Sequence, residues 1–171
     1  KKNFPGAAIH YAMKANSEPE ILKTLNTADC GFEVASVYEL DMLKKIGVKP
    51  GDIIYGTAVK PASHIKTFFE YGVDRFACDS PHELEKIAAV APGSKVYIRV
   101  VVNDTGSVFK FSEKFGTDKN SAALLLLKAK ELGLHPYGIS FHVGSQASNP
   151  MAWALAIDSI RPTLIRLQKH G

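Results

Sequence analysis

The sequence predicts an α/β protein in which parallel strands alternate with helices. Six strand-like runs recur along the chain, separated by stretches in which apolar residues have helical spacing. Three of the runs are followed by the pattern Ser-x-x-Glu, and glycines such as Gly47 and Gly133 close several helical stretches. Because parallel strands need a crossover between them, this alternation favours either a doubly wound sheet or a (β/α) barrel.

The elements follow one another at regular intervals. The strand-like runs are, in order, AIHYAMK, GFEVA, DIIYG, DRFACD, KVYIRVVV and PYGISFHV. In the first run, alternation places Lys14 at the carboxyl end and on the same face as His10 and Ala12. Helical spacing is clear in EPEILKTLNTA, VYELDMLKKIG and PHELEKIAAVA.

The three Ser-x-x-Glu patterns predict where helices begin. In a capping box the serine side chain accepts from the amide three residues on, while the glutamate reaches back toward the first turn. We expect Glu39 and Glu83 to act only in this way. The predicted boxes are Ser17 with Glu20, Ser36 with Glu39, and Ser80 with Glu83.

The number of units favours an incomplete barrel. No G-x-G-x-x-G pattern follows the first strand, which argues against a dinucleotide-binding sheet. A complete barrel has eight βα units in typically about 250 residues, whereas this chain offers about six. No linker divides the sequence, so residues 1–171 are predicted to form one partial barrel domain. The chain begins without Met and runs directly into a strand, so we expect a fragment.

Composition excludes several classes of protein. The 171 residues are 46% hydrophobic and 22% charged, which is typical of a globular domain with one substantial core. The net charge of +4 is spread along the chain, so neither nucleic acid nor a membrane surface is an expected partner. Cys30 and Cys78 have no metal-ligand spacing, which predicts no metal site and fits a reducing cytoplasm. No apolar stretch approaches the roughly 20 residues of a membrane span.

Active sites of parallel α/β proteins lie at the carboxyl ends of the strands. The polar side chains expected there are Lys14, Glu33, Asp79, Arg99, His142 and Ser145. A partly desolvated lysine can react as a neutral amine with a carbonyl compound to form a Schiff base. Position alone leaves other interpretations open: a solvent-facing Lys14, a core histidine at 142 and a helix cap at Ser145.

The motifs together resemble a known family. YAMKAN, GFEVASVYEL, IIYG, FACDSPHELEKI, FSEKFG and GISFHVGSQ follow in the order and spacing of the decarboxylases that use pyridoxal phosphate and have the alanine-racemase-like barrel fold. This group comprises the ornithine, lysine, arginine and diaminopimelate decarboxylases. The resemblance spans essentially the whole chain, and FSEKFG and SFHVGSQ look most similar to the ornithine/lysine branch. It implies a pyridoxal-phosphate-binding (β/α)8 barrel.

The resemblance implies roles for five residues. Lys14 matches the lysine that holds pyridoxal phosphate as a Schiff base, and His142 matches the histidine that stacks on the pyridine ring. Ser145 matches a serine that binds the phosphate, where GSQ also offers backbone amides and Gly144 allows close approach. Arg99 matches an arginine near the cofactor. Glu33 stands where eukaryotic ornithine enzymes carry an aspartate, and is expected near the cofactor as well.

The resemblance also implies a reaction and partners. The expected activity is decarboxylation of ornithine or lysine in polyamine formation by a cytoplasmic homodimer with shared active sites. Asp79 and Lys114 match charges that cross the dimer interface in the ornithine branch; a solvated charge is the alternative for each. Other site groups of the family lie beyond Gly171, so these residues alone are expected to be inactive. Alternatives are a diaminopimelate or arginine decarboxylase, a non-catalytic regulatory homologue, or a Schiff-base aldolase.

Overall fold

Six parallel strands form one sheet in a computed structural model that describes residues 5–104, 106–109 and 114–169. The strands are β1 (His10–Ala12), β2 (Gly31–Val34), β3 (Ile53–Tyr55), β4 (Arg75–Cys78), β5 (Lys95–Val100) and β6 (His135–Phe141). The helices are α1 (Pro19–Thr27), α2 (Val37–Lys45), α3 (Ala62–Tyr71), α4 (Pro81–Val90), α5 (Lys119–Glu131) and α6 (Met151–Gln168). Strands adjacent in sequence are adjacent in the sheet, in the order β1-β2-β3-β4-β5-β6. The six predicted βα units are confirmed.

The two faces of the sheet differ in character. One face packs against the helices and forms the core, where each large apolar side chain contributes roughly 1.5–3 kcal/mol by leaving water. Its buried strand residues are Phe32, Val34, Ile53, Tyr55, Phe76, Cys78, Val96, Ile98 and Val100. The opposite face, called here the inner face, carries Glu33, Ile54, Tyr97 and Arg99, all half-buried. Charged groups that could meet a ligand therefore lie on the inner face.

The first strand is shorter than predicted. It ends at Ala12, and Met13–Ala15 form a 3₁₀ turn. The turn buries Met13 in the core at 1% exposure and leaves Lys14 exposed. The expectation that Lys14 belongs to the strand is therefore wrong, because the last strand pair joins Ala12 to Glu33 and the chain turns directly after it.

Two of the three predicted capping serines are confirmed. Ser36 and Ser80 each accept a hydrogen bond from the amide three residues on, Glu39 and Glu83 respectively, at 3.3 Å. The Glu39 carboxylate reaches back to the amide of Ala35 at 2.5 Å. These contacts satisfy donors that the first turns of α2 and α4 leave without helical partners.

The predicted box at Ser17 and Glu20 is wrong. Helix α1 has Glu18 as its N-cap, without a side-chain capping bond, and Pro19 as its first residue. Proline suits this position because its fixed φ is helical and it has no amide hydrogen to satisfy. Asn16 Oδ1 accepts from the amide of Glu18 at 2.9 Å and shapes the approach to the helix.

The side chain of Glu83 does more than the expected capping. It is 2% exposed and forms a buried ion pair with Lys60, which is 1% exposed, at 3.1 Å. Glu83 also accepts from the Lys60 amide at 3.0 Å and pairs with Lys86 at 2.7 Å. The expectation that Glu83 only caps α4 is therefore wrong: its carboxylate joins α4 to the loop after β3.

Glycines end helices α2 and α5, as predicted. Gly47 and Gly133 have φ values of 75° and 73°, in the left-handed region that glycine adopts without strain. Their amides donate to the carbonyls of Lys44 and Lys130, both at 3.1 Å.

Helix α6 carries several exposed apolar side chains. They are Met151, Trp153, Leu155, Ile157, Leu164 and Ile165. Across the described part of the chain, no helix combines the length and apolar character needed to span a membrane.

Candidate active site

Lys14 lies just beyond the carboxyl end of β1. The 3₁₀ turn directs its neighbour Met13 into the core, and Lys14 itself is exposed. The amine is therefore accessible at the edge of the sheet where the strands end, which is the edge that carries active sites in this architecture.

Lys14 follows β1 and His142 follows β6, the two edge strands, yet Lys14 acts electrostatically on His142 together with Arg99 of the neighbouring β5. Burial lowers the pKa of His142, and the positive charges of Arg99 and then Lys14 lower it further, while Asp104 raises it. In a flat sheet β1 and β6 would lie roughly 24 Å apart, at about 4.8 Å per strand. Charges so far apart are largely screened. The sheet therefore curls so that its two edges approach each other, as in a barrel.

The protonation of His142 follows from its contacts. The amide of Gly144 donates to Nδ1 of His142 at 2.9 Å, so Nδ1 must be unprotonated. Together with the lowered pKa, this favours the neutral imidazole with its proton on Nε2. The side chain is exposed, which excludes the interpretation of His142 as a core histidine.

The segment after His142 is held by the long loop that precedes α5. The amide of Ser145 donates to the carbonyl of Phe109 at 3.0 Å, and its carbonyl accepts from the amide of Val108 at 3.2 Å. Gly144 has a φ of 92°, and an added Cβ would lie 2.0 Å from Oγ of Ser107. The space beside the Gly144 backbone, which was predicted to admit a ligand, is therefore filled by Ser107 of this loop.

Two expectations about GSQ change accordingly. The amides of Gly144 and Ser145 donate within the chain, so the expectation that the backbone amides of GSQ are offered to an anion is wrong for these two. Ser145 is also no helix cap, because α6 begins only at Met151. Its half-buried hydroxyl stays a candidate for binding an anion.

Glu33 lies on the inner face of β2, and its carboxylate extends over the next strand. A Cβ on Gly56 would lie 2.1 Å from Oε1 of Glu33, so the carboxylate occupies the space of a missing side chain. Its negative charge contributes to raising the pKa of Tyr97, although burial contributes more. Glu33 and Tyr97 therefore share one region of the inner face.

Arg99 projects from the same face of β5 as Tyr97. Its guanidinium stacks on the ring of Phe115, with 5.6 Å between the guanidinium carbon and the ring centroid. In the sheet Arg99 is paired with Ser140 of β6, two residues before His142. This position brings a permanent positive charge to the imidazole.

The two charges predicted for a subunit interface lie on adjoining segments. Oδ2 of Asp79, after β4, accepts from the amide of Gly116 at 2.9 Å, and Lys114 lies exposed two residues earlier in that loop. Residues 110–113, which include the first three residues of the FSEKFG motif, lie outside the described residues.

Sequence reasoning missed three residues of this region. Tyr97 could have been found from strand alternation, because it lies two residues before Arg99 and therefore on the same face. Gly56 and Asp104 could not be found from strand alternation. Gly56 matters because the Glu33 carboxylate of the neighbouring strand lies against it, and Asp104 is buried at 4% exposure.

Comparison with known proteins assigns the fold to a family. The model for the pyridoxal-binding domain of pyridoxal-dependent decarboxylases matches residues 1–171. The chain belongs to this family. Pyridoxal phosphate is accordingly its cofactor, as the resemblance implied.

Individual relatives agree with this assignment. A lysine/ornithine decarboxylase of Selenomonas ruminantium is 39% identical over 92% of this chain and 40% of its own length. An ornithine decarboxylase of Neurospora crassa is 36% identical over 100% of this chain and 35% of its own length. The crystal structure of an SrLDC mutant in complex with PLP aligns with a TM-score of 0.95 and 37% identity, over 99% of this chain and 44% of that one. The chain thus spans less than half of each.

The residues at the curled edge suit this cofactor. Lys14 provides a primary amine, and His142 provides a neutral imidazole. Arg99 provides a guanidinium, which stays charged at all relevant pH values. The aldehyde group of pyridoxal phosphate can be held by a primary amine, and nearby positive charge stabilises its anionic phosphate group. The donor set of this domain therefore fits pyridoxal phosphate.

Proposed function

We propose that this domain belongs to a decarboxylase that converts lysine or ornithine to the corresponding diamine. The position of Lys14, Arg99 and His142 at the carboxyl ends of β1, β5 and β6, with Lys14 and Arg99 both in electrostatic range of His142, carries this proposal. The proposal is supported by relatives named lysine/ornithine decarboxylase and ornithine decarboxylase, each longer than this chain. A role in polyamine formation follows from the diamine product.

Lys14 is the residue that we assign to covalent attachment of the cofactor. Its amine is exposed at the edge of the sheet where the strands end, so it is accessible to an aldehyde. A primary amine at this place would hold the cofactor through its aldehyde group. When bound, pyridoxal phosphate supplies an electron-withdrawing ring that accepts the electron pair left by departing carbon dioxide.

His142, Arg99, Ser145 and Glu33 orient the cofactor in this proposal. The Gly144 amide fixes the ring of His142 by donating to Nδ1, so the flat face of a neutral imidazole is available for stacking. Arg99 provides a fixed positive charge to an oxygen of the cofactor, and the Ser145 hydroxyl can donate to phosphate. Glu33 provides a carboxylate on the inner face.

The assembly belongs to the same proposal. We assign the complete protein to the cytoplasm as a homodimer in which Asp79 and Lys114 mark one contact surface. The hydrogen bond between Asp79 and the Gly116 amide supports this assignment, because exposed Lys114 lies two residues before Gly116 in the same loop.

Borohydride labelling of the full-length protein tests the function. We expect reduction in the presence of pyridoxal phosphate to fix the cofactor on Lys14, located by peptide mapping, and Lys14→Ala to abolish labelling. Lys23→Ala is the matched control, since Lys23 is an exposed lysine of α1 that pairs with Glu20 on the same helix. Carbon dioxide release from lysine or ornithine completes the test. An unlabelled Lys14, or labelling without release from either amino acid, contradicts the proposal.

A further inference from the structure

We propose that Tyr97 is a positioning residue for Glu33: its hydroxyl holds the Tyr55–Gly56 peptide on which the Glu33 carboxylate lies. Tyr97 itself touches neither substrate nor cofactor in this role. The inference rests on the proposed function in one respect, since Glu33 is assigned there to the cofactor site.

The position of Glu33 depends on the backbone beneath it. A Cβ on Gly56 would lie 2.1 Å from Oε1 and 2.6 Å from Cδ of Glu33, so the carboxylate lies directly against this glycine. Within the described ranges, the carboxylate of Glu33 has no hydrogen-bond or ion-pair partner. A half-buried carboxylate without such partners is located by what it packs against, and here that is the Gly56 backbone.

The peptide between Tyr55 and Gly56 is held at both ends. Its N–H, on Gly56, donates to the carbonyl of Val34 at 3.0 Å. Its carbonyl, on Tyr55, accepts from the hydroxyl of Tyr97 at 3.4 Å. The first contact is ordinary strand pairing with β2, whereas the second comes from a side chain two strands away. Tyr97 thus fixes the plane of the peptide on which Glu33 rests.

The sheet leaves room for this reach. The register partners of Tyr97 are Ala77 on β4 and Gly138 on β6, the two smallest kinds of residue. With no bulky neighbour on either side, the ring can lie across β4 toward β3. A larger residue at Ala77 would stand between the hydroxyl and the Tyr55 carbonyl.

The hydroxyl of Tyr97 is a permanent donor. Burial raises its pKa, and the negative charge of Glu33 raises it further, against the lowering effect of Arg75 and Arg99. The phenol therefore keeps its proton over the whole physiological range. The hydroxyl bonds to the same peptide that the Glu33 carboxylate packs against, so the two groups lie in one region.

A double-mutant cycle tests whether Tyr97 acts through Glu33. In the full-length protein, Tyr97→Phe keeps the ring and removes only the hydroxyl. We expect it to weaken binding of pyridoxal phosphate about fivefold, which is roughly 1 kcal/mol and the value of one hydrogen bond. In a Glu33→Gln background we expect the same change to have less than a twofold effect, because the group it positions is altered. Absorption titration of the apoprotein with pyridoxal phosphate measures each constant.

Two further variants bracket the result. Tyr137→Phe is the matched control, since Tyr137 lies on β6 with 59% exposure, and we expect no change in binding. Gly56→Ala is expected to displace the Glu33 carboxylate directly and to weaken binding at least as much as Tyr97→Phe. Equal effects of Tyr97→Phe with and without Glu33 would overturn the inference.

The test separates this inference from the proposed function. If the unaltered protein binds no pyridoxal phosphate, the proposed function fails, and the crystal structure of the Tyr97→Phe apoprotein then decides the inference. Movement of the Glu33 carboxylate away from Gly56 supports it. A carboxylate that stays in place overturns it.

Discussion

Replacement of Lys60 by methionine is the most direct test of the buried ion pair. The substitution keeps the length and apolar stem of the side chain but removes its charge. In the structure the amine is 3.1 Å from Oε1 of Glu83 and also donates to the carbonyls of Thr57, Ala58 and Ala77. All of these interactions are lost at once.

The magnitude follows from burial on both sides. Lys60 is 1% exposed and Glu83 is 2% exposed, so water cannot replace the lost partner. Breaking a buried pair costs about 3–5 kcal/mol, because one charge is left without compensation. Lys86 remains 2.7 Å from Oε2 of Glu83, so we expect the lower end of this range, about 3 kcal/mol. That change lowers the ratio of folded to unfolded protein more than a hundredfold.

Urea denaturation of the full-length protein, followed by circular dichroism, measures the loss. Lys66→Met is the matched control, because Lys66 pairs with Glu70 on α3 and both side chains are 64% exposed. We expect this control to change stability by less than about 0.5 kcal/mol. Adding Glu83→Leu to Lys60→Met should recover part of the lost stability, since it removes the stranded charge. A Lys60→Met variant as stable as the control would refute the reasoning.

The remaining predictions concern a helix cap and the histidine of the site. Ser36→Ala should destabilise the protein by about 1 kcal/mol because it removes a cap, whereas Ser17→Ala should change stability little; urea denaturation compares them. In the apoprotein, NMR titration should give His142 a pKa below 6.5. Removing a positive charge favours protonation, so Arg99→Met should raise this pKa, and Lys14→Met should raise it less. Equal losses of stability in Ser36→Ala and Ser17→Ala, or an unchanged His142 pKa in Arg99→Met, would contradict these expectations.

Local signals predicted the elements well but misjudged some of their ends. The caps at Ser36 and Ser80 were found because serine and glutamate occupy fixed positions in the first turn. The same pattern at Ser17 misled, because Pro19 already sets the start of α1. The end of β1 was also misplaced, because the turn at Met13–Ala15, which buries Met13, packs against the neighbouring strand β2 and leaves no mark in the alternation of the sequence.

The sequence by itself determined the βα alternation, the place of Arg99 at the carboxyl end of its strand and the family through its motifs. These depend on spacing along the chain, which a single sequence displays. Only the tertiary structure decided that Lys14 lies within electrostatic range of His142, that Glu83 pairs with Lys60, and that the amides of Gly144 and Ser145 are already bonded within the chain. Each of these depends on the curl of the sheet or on packing between distant segments. Periodicity cannot report such contacts, because it describes only the surroundings of each residue along its own helix or strand.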